Sequence, residues 1–304
     1  MNKLKLWIKA ARMPFLTATL VPVILGSAAA WHDFNVFSWP LFFLALFGAI
    51  FVHLGISLSN DYFDHMSGND EANKKPTPFS GGSRVIQEKL IPAKHILTAA
   101  ILFFALGSAI GLYLNFILPG NVVIILGAIG IFLGLFYTAP PFKIGYNGFG
   151  EIITGIGFGP LMVLGSYFVQ AQVITPSSFF ISIPIAILIA LVLFINEFPD
   201  YDADKKVGKK TLVVLLGKKF CVNIYFIFLI LAYIIVIAGV ISNLLPYHTL
   251  IILLTLPLAY TAIKNLVRNY DKIDELLPSN KATIGLHLLF GLLMAVGYIL
   301  ASVF

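Results

Sequence analysis

The sequence predicts an all-α, polytopic membrane bundle of nine transmembrane helices, on three observations: composition, the length of its apolar runs, and the placement of its basic residues. Of 304 residues, 59% are hydrophobic and only 11% charged, where soluble proteins carry roughly a quarter charged. A helix needs about 20 mainly apolar residues to cross a bilayer. Such runs fall at 14–31, 40–60, 95–115, 121–138, 149–170, 178–198, 220–241, 247–264 and 282–303. The connections are too short for a further domain, so residues 1–304 read as one unit.

The segment ahead of the first run carries Lys3, Lys5, Lys9 and Arg12, as a signal peptide would. No convincing cleavage site follows and the same pattern recurs down the chain, so this run is read as the first span. Every one of the 20 lysines and arginines lies before span one or in the connections after spans two, four, six and eight. The alternate connections, Trp31–Trp39, Asn115–Asn121, Ala171–Ser177 and Ser242–Tyr247, have none. Basic residues concentrate on the cytoplasmic side, which predicts a cytoplasmic N-terminus, an outside C-terminus and a working face turned to the cytoplasm from the cell (inner) membrane. The net charge of +6 is then a topology signal with no nucleic-acid partner implied. The lone Cys221 excludes an internal disulfide and a multi-cysteine metal site.

Acidic residues follow the same face: 13 of 14, all but Asp33. Asp271, Asp274 and Glu275 share a connection with Lys264, Arg268 and Lys272 and read as surface pairs. The others are patterned. Span two ends in Ser59-Asn60-Asp61-Tyr62-Phe63-Asp64-His65 and span six in Asn196-Glu197-Phe198-Pro199-Asp200-Tyr201-Asp202-Ala203-Asp204. At an offset of 136 residues, Asn60 meets Asn196, Asp61 meets Glu197, Tyr62 meets Phe198 and Asp64 meets Asp200, which is an internal repeat. On continuing helices, Asn60 and Asp64 share a face, as do Asn196, Asp200 and Asp204. Carboxylates in hydrocarbon cost at least about 2.5 kcal/mol each, so positive charge must offset them. An oxygen-rich pocket of this kind suits Mg²⁺, which keeps positions for water and phosphate oxygens and would bridge the protein to a diphosphate.

Basic and flexible segments flank the clusters. Asp70 and a polar stretch lead into Phe79-Ser80-Gly81-Gly82-Ser83-Arg84, a loop able to fold back over a pocket, with Arg84 a candidate for phosphate oxygens. Lys205, Lys206, Lys209 and Lys210 supply positive charge beside Asp200 and Asp204, and Lys209 and Lys210 are candidate substrate-binding residues. Tyr137-Thr138-Ala139-Pro140-Pro141-Phe142-Lys143 closes span four, with Lys143 a candidate diphosphate ligand and Tyr137 able to face a developing cation. His53 and His287, inside spans two and nine, read as packed, hydrogen-bonded histidines.

These motifs resemble the UbiA superfamily of intramembrane aromatic prenyltransferases, over nearly the whole chain. Asn60-Asp61-Tyr62-Phe63-Asp64 and Asp200 to Asp204 match its two aspartate-rich motifs. The resemblance implies helices around a central cavity open laterally to membrane lipid, and transfer of a polyprenyl group from its diphosphate to an aromatic acceptor. It makes Asp64, Asp200 and Asp204 the catalytic Mg²⁺ ligands, joined by Asp61 and Asp70, with Asn60 and Asn196 supporting them. Gly68 stands where ubiquinone-type members have an aspartate, and the family's Tyr-x-x-x-Lys element is stretched to Tyr137 and Lys143. Gly-Gly-Ser-Arg (81–84), residues 137–143 and Phe158-Gly159-Pro160-Leu161 look most like the menaquinone branch, the 1,4-dihydroxy-2-naphthoate polyprenyltransferases. Other acceptors, 4-hydroxybenzoate or homogentisate, remain open. An ion-coupled transporter is the alternative of a different class, disfavoured because the repeats share one orientation and the acids sit at helix ends.

Overall fold

The computed structural model describes residues 2–304, and among them every regular element is helical. A short helix α1 (Lys3–Ala10) precedes α2 (Thr17–Phe34), α3 (Trp39–Ser67), α4 (Ala93–Ile117), α5 (Val122–Leu135) and α6 (Gly150–Ala171). Then come α7 (Pro176–Lys206), α8 (Lys218–Ile241), α9 (Tyr247–Asn269, its first turns 3₁₀) and α10 (Ile273–Val303). Eight of these are long and apolar enough to span a membrane; α5, with 14 residues, is the shorter ninth apolar helix.

Three helices depart from the expected ends. α3 and α7 run seven and eight residues past the expected boundaries at 60 and 198, to Ser67 and Lys206. At 1.5 Å per residue they are about 44 and 46 Å long, well beyond a hydrocarbon core of about 30 Å. Hydropathy stops at the first charge, whereas the backbone ladder continues while side chains find partners inside the protein. α10 likewise begins nine residues early, at Ile273, and takes Asp274, Glu275 and Lys281 into its first turns. Of the expected surface pairs, Lys272 meets Glu275 at 3.1 Å, while Asp271 turns to Lys218 at 3.9 Å.

Local chemistry sets the boundaries. Thr175 caps α7 through a reciprocal capping box with Ser178, and Pro176 opens it. Gly68, at φ 75°, ends α3 directly after the first acidic cluster in a conformation that suits glycine. α2 and α7 are the most enclosed helices, and Val21, Leu25, Ile185, Leu188, Phe290 and Met294 belong to the core they share with α10. α4 and the outer face of α8 present bare apolar side chains such as Phe116, Ile227 and Ile241, the surface that lipid would cover. α6 contains a π turn at Gly157–Leu161 around Pro160. Gly157, Phe158 and Leu161 of that turn line the central cavity.

α2 and α6 touch at Gly26, where a Cβ would stand 2.1 Å from Ser166 Oγ and 2.4 Å from the Val163 carbonyl. Gly26→Val is expected to destabilise the bundle by ~1–3 kcal/mol, read as a lower unfolding midpoint in detergent. Gly127→Ala, where a Cβ meets nothing within 4 Å, should leave that midpoint unchanged.

Candidate active site

α3 and α7 bring their C-terminal ends to the mouth of one cavity of about 370 Å³. Parallel delivery of the two repeat copies puts both acidic clusters on one rim. Asn60, Asp61 and Asp64 from α3, and Asn196, Glu197, Asp200 and Asp204 from α7, all line it, joined by Asp70, Tyr137 and Lys209. Deeper down, the wall turns apolar, with Leu44, Val52, Ile110, Leu126 and Phe158 among its side chains.

The segment after α3 folds over this rim and ties one cluster to the other. Asn73 Nδ2 donates to Asp200 Oδ1 at 2.8 Å, and the Gly81 N–H to Asp200 Oδ2 at 3.3 Å. The Ser83 N–H donates to both oxygens of Asp61 at 3.3 Å. Gly81 and Gly82 have φ of 79° and 72°. A Cβ on Gly82 would meet Asp70 Oδ2 at 2.5 Å, so the close pass of the loop over the acids depends on glycine there. The glycine loop thus delivers its N–H groups to carboxylates.

Other groups hold single members. Tyr146 donates its hydroxyl to Asp64 Oδ1 at 2.6 Å, and Lys209 Nζ lies 3.5 Å from Asp204 Oδ1 and 5.3 Å from the centre of the Tyr146 ring. Burial alone would lower the Lys209 pKa, but Asp204 and Asp64 outweigh it and raise it well above the ordinary value, so this cation is permanent. Burial, and then the charge of Asp64, push the Tyr146 hydroxyl upward and keep it a donor.

Three residues expected at the site lie outside the cavity lining. Arg84 turns its guanidinium to the Asp70 backbone carbonyl and braces the loop. Lys143 lies with Nζ 5.5 Å from the centre of the Tyr146 ring. Lys210 gives its backbone N–H to the Tyr146 carbonyl, and its side chain stays off the rim. Conversely, Arg12, Asn69, Asn73 and Glu197 line the rim without having been assigned a site role. Arg12 was hidden among the N-terminal basic residues, although it is the last of them and stands two residues before Pro14. Of the histidines, His53 Nδ1 meets Thr19 Oγ1 at 2.6 Å, as expected, while His287 is buried with Nε2 unpartnered.

The rim carries six carboxylates, Asp61, Asp64, Asp70, Glu197, Asp200 and Asp204, against two cations, Arg12 and Lys209. Among the described residues, no three His, Cys, Asp or Glu side chains come close enough to enclose one ion by themselves. Such a spread fits an ion that takes one or two carboxylates and completes its shell with phosphate and water oxygens, which is the habit of Mg²⁺. Asp204 Oδ1 is buried with no hydrogen bond, and Lys209 is its one cationic partner.

A family model described as the UbiA prenyltransferase family matches residues 19–278. The chain belongs to that family. Its fold is shared with solved members: a UbiA homolog from Archaeoglobus fulgidus bound to GPP and Mg²⁺ superposes with a TM-score of 0.64 at 14% identity, covering 98% of this chain and all of that one. A UbiA homolog from Aeropyrum pernix K1 superposes with a TM-score of 0.67 at 15% identity, covering 93% and 97%. Relatives by sequence include the 2-carboxy-1,4-naphthoquinone phytyltransferase of Synechocystis, 31% identical over 97% of this chain and 93% of that one. The 1,4-dihydroxy-2-naphthoate octaprenyltransferase of Bacillus subtilis is 31% identical over 97% and 92%. The chain is therefore a multi-pass membrane prenyltransferase of the UbiA family.

Asp70 offers a pH test of the rim. Burial, reinforced by Asp64 and Asp61, pushes its carboxyl up from 3.8 to about 8. The folded state then keeps a proton that the unfolded chain releases, so stability falls as pH rises through that window. Without divalent ions, the gain in unfolding temperature from Asp70→Asn should grow from about pH 4.5 to about pH 8.5, the interval that the linkage relation assigns to a carboxyl so shifted.

Proposed function

We propose that this chain transfers a polyprenyl group from its allylic diphosphate to 1,4-dihydroxy-2-naphthoate, with release of diphosphate and CO₂, and that the reaction depends on Mg²⁺. The observation that carries the reading is the acid-rich rim above an apolar cavity: six carboxylates and two cations cannot admit a diphosphate unless further cations come with it. The acceptor follows from near-full-length similarity to the Synechocystis and Bacillus subtilis enzymes, whose names specify naphthoate-type substrates. The Archaeoglobus homolog bound to GPP and Mg²⁺ supports the donor and the metal.

Bound Mg²⁺ would neutralise the diphosphate and stabilise it as it leaves; Asp64, Asp200 and Asp204 would hold it, with Asp61 and Asp70 beside them. Lys209, a permanent cation on the rim, takes diphosphate oxygens. Asn60 and Asn196 lie one helical turn deeper than Asp64 and Asp200, toward the apolar wall that would receive the prenyl chain. As the C1–O bond breaks, its electron pair leaves with the diphosphate, and the Tyr137 ring, which lines the cavity, would face the allylic cation. The ring carbon bearing the carboxylate bonds to C1. The bond to CO₂ then breaks and its pair returns to the ring, giving demethylmenaquinone in its quinol form. The chain works as one unit, its N-terminus and site facing the cytoplasm, because the rim shares its end of the bundle with the basic connections.

A mass-spectrometric turnover assay offering dihydroxynaphthoate and 4-hydroxybenzoate together, with a long prenyl diphosphate, tests the acceptor. Mg²⁺-dependent prenylnaphthoquinol and CO₂ are expected; prenylated hydroxybenzoate would overturn the acceptor. Asp64→Asn and Asp200→Asn should each lower turnover at least a hundredfold, about 3 kcal/mol of transition-state stabilisation, in protein that still inserts and folds. Wild-type rates in both would remove the metal site from the mechanism.

A further inference from the structure

The second acidic cluster lies on a helix that a proline interrupts. Pro199 has no N–H, so the Ile195 carbonyl one turn earlier loses its partner in the α7 ladder. A side chain from the last helix supplies the missing donor: Asn280 Nδ2 of α10 reaches the Ile195 carbonyl at 3.2 Å. The same amide nitrogen reaches Asn196 Oδ1 at 2.8 Å.

This pair of bonds fixes an orientation. A backbone carbonyl only accepts, so the atom Asn280 turns toward Ile195 is its N–H₂ group. Asn196 must then meet that donor with its own oxygen, which leaves the Asn196 N–H₂ on the side of the cavity that this residue lines. The first repeat copy has the same arrangement, since Thr138 Oγ1 donates to Asn60 Oδ1 at 2.9 Å. Asn280 is 1% exposed, and its own Oδ1 has no partner. That bare oxygen is a cost to folding, set against the two acceptors that the amide nitrogen satisfies. The amide is therefore accounted for by what its nitrogen does.

We propose that Asn280 is a positioning residue that holds Asn196 with its N–H₂ toward the cavity, so that Asn196 donates a hydrogen bond to an oxygen of the prenyl diphosphate and is not a metal ligand. With its oxygen turned to α10, Asn196 offers the cavity its N–H₂ group and not its acceptor. The assignment rests on the diphosphate reading above and sharpens it: metal binding falls to the carboxylates, and the paired asparagines become donors to the leaving group one turn below them.

The test is calorimetric binding of an unreactive prenyl thiolodiphosphate at saturating Mg²⁺, with the Mg²⁺ titration midpoint read at saturating analogue and thermal unfolding measured alongside. Asn280→Leu is expected to stay folded with a lower unfolding temperature, because the Ile195 carbonyl and Asn196 Oδ1 lose their donor, to weaken analogue binding tenfold or more, and to leave the Mg²⁺ midpoint within twofold. Asn196→Asp keeps the shape and replaces the donor with an acceptor, and serves if the first variant fails to fold. It should weaken the analogue at least as much, whereas a metal ligand would tolerate the carboxylate. Wild-type affinity in either folded variant, or a shifted Mg²⁺ midpoint as the main effect of Asn280→Leu, overturns the assignment. Wild-type protein that fails to bind the analogue with Mg²⁺ overturns the diphosphate reading itself, and the assignment with it.

Discussion

Mutual repulsion among carboxylates at the mouth of one cavity is the constraint to which the rest of the site answers. Asp200 and Asp204 are four residues apart on one helix, a rise of about 6 Å. At an effective dielectric of about 20, two unit charges at that distance repel by roughly 3 kcal/mol. Six ionised acids against two bases on one rim would take up a large part of a stability that is ordinarily only about 5–15 kcal/mol, and protonation, as at Asp70, relieves a share of it. Every neighbouring feature eases that load. Gly81 and Ser83 turn backbone N–H groups onto Asp200 and Asp61, Tyr146 donates to Asp64, Asn73 to Asp200, and Lys209 sits beside Asp204. What they leave uncompensated is the negative charge that, on the proposed function, additional cations and the anion they carry would meet.

The fold supplies this constraint with geometry. Two parallel helices of 29 and 31 residues outlast the bilayer core, so the acids are sheltered by protein and not by lipid. Below them the wall becomes apolar within one or two turns, and the π turn in α6 contributes residues to it. A polar rim that binds charge directly over a dry cavity is the combination that carbocation chemistry needs. On the proposed function, departure of the diphosphate would be stabilised where the cations are, and the cation left behind would be kept from water.

Much of this was legible in the sequence because it rests on periodicity and charge, which are local. Apolar runs located the helices, and the 136-residue offset between Asn60 and Asn196 exposed the repeat. Helix ends were misjudged where charged residues continue a helix inside the protein, as at Ser67, Lys206 and Ile273. Loop cations were harder. Lys143 and Lys210 carry the right charge in two connections that are joined by the Lys210–Tyr146 backbone bond, yet of the expected lysines Lys209 alone lines the rim. Arg12 and Asn280 escaped because one lay among topology signals and the other near the start of the last helix, with nothing local to mark a contact 84 residues away.

The measurement closest to the central claim is electron paramagnetic resonance of Mn²⁺, substituted for Mg²⁺ and titrated into the purified protein with and without an unreactive prenyl thiolodiphosphate. The account requires Mn²⁺ to bind tightly only when the diphosphate is present, with phosphorus coupling in the bound signal, and to lose that signal in Asp200→Asn. Tight binding that ignores the diphosphate, or a coupled signal that survives Asp200→Asn, would contradict it.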